Sequence, residues 1–446
     1  MVVVFVLVAV AVLALLAGVH RYVWRRFVGD TTVPGSALRR AGTVAAFVLP
    51  LLTVGALVSG RAGAPFWLQQ VLAWPGFLWL AALLYLTLAL LVGEAVRPVL
   101  RRVLDRRDRA AAEPQEPSAV STEAGTGPRA DARTRNDALV PSGAGSSPAP
   151  QTPGPHSGAD PAPAVAAPSV VSPSRRLFVA RAVGGAAAVA GLGTVGYGTY
   201  GVMRGPRVKR VTVPLAKLPR SAHGYRIAVV SDIHLGPVLG RAHTRRIVDT
   251  INGTRPDLIA VVGDLVDGSV ADLGTAAEPL AGLRARHGSY FVTGNHEYFS
   301  GAAQWIDHVR ELGLHPLENA RVEIDGFDLA GVNDVAGESE GQGPDFVRAL
   351  GDRDRSRASV LLAHQPVVIH DAVEHGVDLQ LSGHTHGGQL WPGNLVAELA
   401  NPTVAGLERY GDTQLYVSRG AGAWGPPVRV GAPSDITVVE LASRQA

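Results

Sequence analysis

Long apolar runs alternate with short basic segments in the first hundred residues of the chain. The apolar runs cover Val2 to Val19, Val44 to Val58 and Leu72 to Val92. A helix that crosses a membrane needs about 20 apolar residues, so each run predicts one membrane-spanning helix. Residues 1–103 are therefore expected to form a transmembrane region with three helices. A cleaved signal peptide is the alternative for the first run, although two further runs follow it.

The composition changes sharply after this region. Residues 104–174 are rich in Ala, Pro, Gly and Ser, and such a segment cannot bury enough apolar surface to offset the entropy of ordering it. We expect a disordered linker there. Residues 175–203 begin with Arg175-Arg176 and continue as an apolar stretch rich in Gly and Ala. This segment is either a twin-arginine export signal or a fourth transmembrane helix, and either one crosses the membrane once.

The distribution of arginines predicts the orientation of these helices. The first and third loops are rich in arginine, whereas the second loop contains only Arg61. Because arginine-rich loops stay in the cytoplasm, a fourth crossing places everything after Val202 outside. Basic residues at 204–210 disagree with this rule, but export of an already folded domain tolerates them. The C-terminal part is therefore expected to be extracytoplasmic in a multi-pass protein of the cell membrane.

Residues 207–446 show short apolar strands that alternate with helical stretches. Short β-branched runs separated by helices are typical of an α/β domain with a buried sheet. The pattern predicts a helix from His243 to Ile251. The predicted strands are Arg226 to Val230, Leu258 to Val262, Tyr290 to Val292, Val360 to Ala363 and Leu379 to Leu381.

Each of these strands is followed by side chains that bind metal ions. Functional groups in α/β sheets gather beyond the carboxyl ends of the strands. One such residue is weak evidence, because a strand-end Asp is more often a cap or turn residue and a single His is usually structural. Chance is a poor explanation for successive strand ends that all carry oxygen or imidazole ligands, so the sequence predicts a metal site. In chain order the motifs are Asp232-Ile233-His234, Gly263-Asp264, Gly294-Asn295-His296-Glu297, His364 and Gly383-His384-Thr385-His386.

Composition narrows the kind of site and the kind of partner. The chain has no cysteine, which excludes disulfides and thiolate metal sites. The formal net charge is only +3, so we expect no nucleic-acid partner. The apolar runs hold almost no ionisable side chain before Glu94, and a transporter would need such groups within its spans.

The ordered motifs resemble the signature of the calcineurin-like metallophosphoesterase superfamily. That signature is D-x-H, G-D, G-N-H-E, a lone His and G-H-x-H, and the resemblance covers roughly Arg226 to Trp391. The extended run from Gly383 to Gln389 and the pair Arg175-Arg176 are similar to the membrane-associated bacterial branch of YkuE and YaeI. The resemblance implies an α/β fold, the αββα sandwich of the superfamily, preceded by the α-helical transmembrane region.

The resemblance also implies roles for individual residues. Asp264 would bridge two divalent transition-metal ions, for which Mn, Fe and Zn suit the mixed oxygen and nitrogen ligands. His296 would not be a ligand; it would stabilise the transition state or protonate the leaving oxygen. Asp267 is similar to the carboxylate that orients this histidine, and a simple loop carboxylate is the alternative. The other implied ligands are Asp232, His234 and His386 for the first ion and Asn295, His364 and His384 for the second.

The resemblance implies a membrane-anchored phosphoester hydrolase, in particular a phosphodiesterase. A hydroxide held between the two ions would attack phosphorus in line. The substrate would be a phosphoester linked to a lipid or a nucleotide, and Gln389 and Trp391 are candidates for the border of its pocket. The alternative is a metal-binding membrane protein of the cell envelope without turnover, but His296 favours the enzyme because pure binding does not require it.

Overall fold

The computed structural model describes residues 2–112 and 175–444. Most of the expected linker, residues 113–174, therefore lies outside the described residues. The chain divides into two compact units. One unit combines Met1–Pro98 with Arg176–Ala446, and the other is Val99–Arg175.

Helices occupy all the positions where the apolar runs predict them. Among the described residues, three helical segments are long and apolar enough to cross a membrane, namely Ala37–Val58, Phe66–Arg107 and Leu177–Met203. The N-terminal helices are α1 (Val2–Trp24), α2 (Ala37–Val58), α3 (Phe66–Ala112) and α4 (Arg175–Met203).

Helix α3 is longer than the apolar run that predicts it. It continues to Ala112, so the linker does not begin at residue 104 as expected. The segment from Arg101 to Ala112 consists mainly of Arg, Leu and Ala, which have the highest intrinsic helix propensities. The prediction of a linker from composition alone was wrong for these residues.

Small residues bring α3 close to its neighbours. A Cβ atom on Gly76 would come within 2.5 Å of the Leu52 carbonyl oxygen of α2, and Thr53 donates a hydrogen bond of 2.9 Å to the Gly76 carbonyl. On α4, a Cβ atom on Gly191 would come within 2.9 Å of the Leu86 side chain. Close contacts at small residues are typical of helix pairs in membranes.

The residues after α4 form two six-stranded sheets. The strands are β1 (Arg207–Leu215), β2 (Tyr225–Val230), β3 (Leu258–Val262), β4 (Ser289–Val292), β5 (His315–Pro316), β6 (Ala320–Ile324), β7 (Phe327–Gly331), β8 (Ala358–Leu362), β9 (Leu379–Ser382), β10 (Gly406–Tyr410), β11 (Thr413–Val417) and β12 (Asp435–Ser443). The first sheet has the order β1-β12-β2-β3-β4-β5, and the second has the order β10-β11-β9-β8-β7-β6.

Helices cover the outer faces of both sheets, and one apolar core fills the space between the sheets. In that core Val229 of β2 belongs to the same buried cluster as Leu381 of β9. Ile247 packs on the outside of the first sheet and Ile369 on the outside of the second. This αββα sandwich is the fold that the resemblance implies. The helices after β2 are α5 (Arg241–Thr254), α6 (Val270–Ala277), α7 (Asn295–Ser300), α8 (Ala302–Glu311), α9 (Phe346–Leu350), α10 (Ile369–Glu374) and α11 (Gly393–Ala400).

Strand direction determines where the metal-binding motifs lie. Strands β2, β3 and β4 are parallel neighbours in the first sheet, and β8 and β9 are parallel neighbours in the second. Parallel strands end at the same edge of a sheet. The loops that follow these five strands therefore meet at one edge of the sandwich.

Candidate metal centre

The backbone is left-handed at five residues of the predicted ligand set. The φ angles are 52° at Asp232, 48° at His234, 52° at Asp264, 72° at His384 and 52° at His386. Residues other than glycine rarely adopt this conformation, and each instance costs about 1–3 kcal/mol. Such strain concentrates at functional sites, where the surrounding fold holds side chains in positions that relaxed loops would not give them.

Asp232, His234 and His386 form one buried cluster. The Nε2 atoms of His234 and His386 lie 3.0 Å apart, and Nε2 of His386 lies 3.4 Å from Oδ1 of Asp232. The Ser231 hydroxyl donates a hydrogen bond of 2.5 Å to Oδ2 of Asp232 and so orients this carboxylate. These three residues offer ligand atoms close enough together to hold one metal ion.

A second cluster contains Asp264, His364, His384 and Asn295. Nε2 of His364 lies 3.1 Å from Oδ2 of Asp264, and Nδ1 of His384 lies 3.1 Å from Oδ1 of Asn295. Oδ2 of Asp264 is also 3.7 Å from Nε2 of His234, which belongs to the first cluster. The Asp264 carboxylate therefore lies between the two clusters.

The hydrogen bonds of the histidines fit a cation. Nδ1 of His364 lies 2.9 Å from the Val262 carbonyl oxygen, and a carbonyl only accepts, so Nδ1 carries a proton and Nε2 is the atom that faces Oδ2 of Asp264 at 3.1 Å. Burial lowers the pKa of His364, but the carboxylates of Asp264 and Asp232 outweigh burial and raise it well above its usual value. The site therefore favours a positive charge between these atoms, and a metal ion would supply it, so the residues fit a metal ion.

Asp267 contacts two imidazole rings beside the clusters. Its Oδ1 atom lies 2.6 Å from Nδ1 of His296 and 2.9 Å from Nδ1 of His234. Nε2 of His296 is then free and lies 4.0 Å from Oδ2 of Asp264. By distance, His234, Asp267 and His296 could also hold an ion, but both Nδ1 atoms already face Asp267 as hydrogen-bond donors.

The charges of the site shift the pKa values of its members. Burial lowers the pKa of His234, but the carboxylates of Asp267, Asp264 and Asp232 outweigh burial and raise it to about 9. Burial raises the pKa of Asp267, but His234 and His296 lower it to about 2. Burial and the charge of His364 lower the pKa of His384 to about 4. At neutral pH the carboxylates thus favour a positive charge among them, and the His384 ring stays neutral.

Comparison with known proteins agrees with this geometry. Residues 225–388 match the family model for the calcineurin-like phosphoesterases. A metallophosphoesterase of Aquifex aeolicus (strain VF5) is 35% identical over 240 residues, which cover 53% of this chain and 91% of that protein. The chain belongs to the calcineurin-like metallophosphoesterases.

Two further relatives resemble this metallophosphoesterase. A transmembrane protein with a metallophosphoesterase domain from Danio rerio is 39% identical over 259 residues, 55% of this chain and 59% of that protein. This chain therefore spans less than two thirds of the length of that relative. The metallophosphoesterase YkuE of Bacillus subtilis (strain 168) is 29% identical over 284 residues, 60% of this chain and 98% of that protein. The expected similarity to YkuE is confirmed.

The metallophosphoesterase site depends on a buried glutamate whose task the sequence motif does not show. Glu297 accepts hydrogen bonds from the backbone amides of Gly294 at 2.6 Å, Leu265 at 2.8 Å and Asp264 at 3.0 Å. Burial and the charge of Asp264 raise the pKa of Glu297 to about 7. A Cβ atom on Gly294 would collide with the Asp264 side chain. Glu297 thus joins the loop after β3 to the loop after β4, and glycine lets the two loops approach.

Arg429 is a second residue that the sequence analysis missed. It is buried, and its Nη2 atom lies 2.9 Å from Nδ1 of His386. Its Nη1 atom donates hydrogen bonds to the carbonyls of His386 at 2.9 Å and Arg419 at 2.6 Å. Burial lowers the pKa of Arg429 to about 10, so the guanidinium stays charged at neutral pH. No motif marks Arg429, because it lies outside the region that matches the family.

Aromatic side chains border the site next to His296. The rings of Phe299 and Trp424 lie 5.6 Å and 5.8 Å from the His296 ring, measured between centroids. Both side chains are exposed. The Gln389 amide donates a hydrogen bond of 2.9 Å to the Trp424 carbonyl. The approach to His296 is therefore apolar, although the metal centre itself is polar.

Proposed function

We propose that this metallophosphoesterase is a membrane-anchored, dinuclear hydrolase of phosphodiesters. The observation that carries the proposal is the position of Asp264, whose Oδ2 atom lies 3.1 Å from His364 and 3.7 Å from His234. One carboxylate shared by two ligand clusters is the arrangement that two closely spaced cations need. When bound, two divalent ions would polarise the phosphoryl oxygens and activate water for in-line displacement.

We assign the described clusters to two ions that share Asp264. The donors are oxygen and nitrogen only, which suits manganese, iron or zinc. Ser231 donates to the Asp232 carboxylate and Arg429 to the backbone carbonyl of His386, and such outer contacts tune metal affinity. The first ion would take Asp232, His234 and His386, and the second would take Asn295, His364 and His384.

His296 is the proposed proton donor to the leaving oxygen. As an acid, His296 would be doubly protonated, with Nδ1–H donated to Asp267 at 2.6 Å and the transferred proton on Nε2, which faces the site. Asp267 would therefore act as a positioning residue. The exposed rings of Phe299 and Trp424 flank the same imidazole and would contact the leaving group, which supports a substrate that carries a lipid or a nucleobase.

We infer a multi-pass membrane protein whose catalytic domain is extracytoplasmic. The arginines support this orientation. Arg26 and Arg97 lie 2.9 Å and 3.6 Å from Glu94, so the arginine-rich first and third loops lie at the same end of the spans. Arginine-rich loops face the cytoplasm, and α4 would cross the membrane once more before the catalytic domain begins.

We further propose that α4 remains attached as a fourth transmembrane helix. The backbone amide of Arg429 donates a hydrogen bond of 3.3 Å to the Gly198 carbonyl. A Cβ atom on Gly198 would come within 2.6 Å of Val428. A cleaved export signal has no need of such close packing against the mature domain. In this proposal the pair Arg175-Arg176 serves export without removal of the helix.

A metal-resolved comparison of two chromogenic substrates tests the proposed function. The full chain, purified in detergent, is stripped with a chelator and reloaded separately with manganese, iron or zinc. We expect hydrolysis of bis(p-nitrophenyl) phosphate to disappear with the metal and return with at least one ion. We also expect this diester to be hydrolysed faster than p-nitrophenyl phosphate. Binding of metal with turnover of neither substrate would favour the alternative, a metal-binding protein without turnover.

A further inference from the structure

Helix α11 exposes an apolar face close to the metal centre. It has no buried residue, and the side chains of Leu395, Val396 and Leu399 are 56%, 69% and 87% exposed. At about 100° per residue these three side chains share one side of the helix, while Asn394 and Glu398 share another. A cluster of exposed large apolar side chains marks a surface that contacts a partner or a membrane.

The segment that leads into α11 packs against the membrane-spanning helices. Tyr85 of α3 donates a hydrogen bond of 3.0 Å to the carbonyl of Trp391. Leu390 packs against a buried cluster that contains Leu86 of α3 and Val195 of α4. Both helices carry spans that are apolar enough to cross a membrane. The apolar face of α11 is thus continuous with the membrane-spanning part of the same compact unit.

The residue composition of this segment is that of a membrane interface. Trp391 is exposed immediately before α11, and tryptophan is enriched where a protein meets the headgroups of a bilayer. The side-chain amide of Asn394 donates a hydrogen bond of 3.4 Å to the Glu398 carboxylate, so these polar groups of α11 pair with each other on one side of the helix. An interfacial helix has this division, with its apolar face in the acyl boundary and its polar face towards water.

We propose that the apolar face of α11, formed by Leu395, Val396 and Leu399, docks into the surface of the lipid bilayer beside α3 and α4. The helix follows His384 and His386 closely in the chain, so docking brings the metal centre to the bilayer. Its substrate is then an amphiphilic phosphoester that resides in the same bilayer. This consequence for the substrate rests on the proposed function, whereas the docking itself does not.

Spin labels can measure docking without any turnover. The chain has no cysteine, so Leu399→Cys and Val347→Cys each carry one nitroxide. Val347 is a matched control, because it is 71% exposed on α9 of the same domain. The full chain is reconstituted in phosphatidylcholine vesicles, and the accessibility of each label to oxygen and to a water-soluble nickel chelate is measured.

Docking predicts opposite behaviour of the two labels. The label at position 399 should be relaxed by oxygen and protected from the nickel chelate, while the label at 347 should be accessible to the chelate. Equal access of the chelate to both labels would overturn the proposal. Protection of position 399 from both reagents would also overturn it, since protein would then cover α11, from a second copy or from residues 113–174.

The double variant Leu395→Asp/Leu399→Asp tests the consequence for the substrate. Loss of apolar contact weakens interfacial binding, so we expect kcat/KM to fall at least about tenfold for a phosphodiester lipid in the vesicles. Hydrolysis of soluble bis(p-nitrophenyl) phosphate should stay within about twofold of the original, and Val347→Asp should change neither. An equal loss on both substrates would contradict the membrane-borne substrate. Absence of all turnover in the unchanged chain would contradict the proposed function and leave the spin-label result intact.

Discussion

At the scale of single residues, His296 and His234 share the partner Asp267 but are assigned different roles, one as an acid and the other as a metal ligand. Asp267 contacts the Nδ1 atoms of both His296 and His234, but the two rings differ in what their Nε2 atoms face. Nε2 of His234 lies 3.0 Å from Nε2 of His386, inside a ligand cluster. The nearest acidic oxygen to Nε2 of His296 is 4.0 Å away, on Asp264. The two histidines should therefore respond differently to substitution.

His296→Ala should leave the metal content near normal and lower kcat by roughly 10²–10⁴-fold, the usual contribution of general acid catalysis. The loss should shrink for nitrophenol esters, because a good leaving group needs less help from an acid. Steady-state kinetics with leaving groups of different pKa, together with metal analysis, measure both effects. The matched variant His384→Ala should lose metal and activity together for every leaving group. Loss of metal in His296→Ala, or equal slowing of all substrates, would show that His296 is a ligand or a structural residue.

Arg429→Met should weaken binding of the first ion. The guanidinium donates a hydrogen bond of 2.9 Å to the backbone carbonyl of His386, and removal of a partner that orients a ligand typically costs 10–100-fold in metal affinity. Competitive metal titration measures the change, and circular dichroism checks that the variant is folded. Arg409→Met, at an exposed arginine, is the matched control. Unchanged metal affinity in a folded Arg429→Met variant would show that Arg429 does not position His386.

The residues of the two clusters could be predicted from sequence because each one stands in a short motif at the end of a strand. Asp232 and His234 belong to one such motif. Glu297 and Arg429 act through tertiary contacts, with the loop after β3 and with His386. Such contacts cannot be read from a local sequence pattern. The pattern therefore includes Glu297 in a motif without indicating its task, and it gives no sign that Arg429 belongs to the site.

At the scale of elements, a helix or strand can be predicted when its apolar pattern is long enough to be recognised. Strands β2 and β3 are buried on both faces, so they appear as continuous apolar runs. Helix α11 has only eight residues, which is too short for a helical period to stand out from the motif before it. The end of α3 differs from the sequence prediction for another reason. Its last residues are charged, as in a linker, so composition alone does not show that the helix continues to Ala112.

Gly198→Leu should loosen the contact between α4 and the catalytic domain. The new Cβ atom would come within 2.6 Å of Val428 and 2.9 Å of the Arg429 carbonyl. Overpacking of this kind costs about 1–3 kcal/mol, so Tm of the detergent-solubilised chain should fall by several degrees. Gly201→Leu is the matched control on the same helix, because nothing lies within 4 Å of its Cβ position. An equal fall in Tm for both variants would mean that α4 does not pack against the domain at Gly198.

At the scale of the whole molecule, the proposed orientation across the membrane rests on arginine placement. Alkaline phosphatase, which is active only outside the cytoplasm, should be active when fused after Ala446, because the proposed orientation leaves the arginine-rich loops in the cytoplasm. Alkaline phosphatase and a cytoplasm-specific fluorescent protein at the same position give opposite signals. Fluorescence without phosphatase activity would reverse the orientation, while the chemistry of the metal centre would be unaffected.

The central claim is that two metal ions act together in the candidate site. Asp264 faces both ligand clusters, so a single carboxylate should control both ions. The most direct measurement is turnover of bis(p-nitrophenyl) phosphate by the full chain at each manganese occupancy, with Asp264→Ala in parallel. Turnover should rise as occupancy approaches about two ions per chain, and Asp264→Ala should lose both metal and turnover. Full turnover in the metal-free chain, or after one ion per chain, would contradict the account.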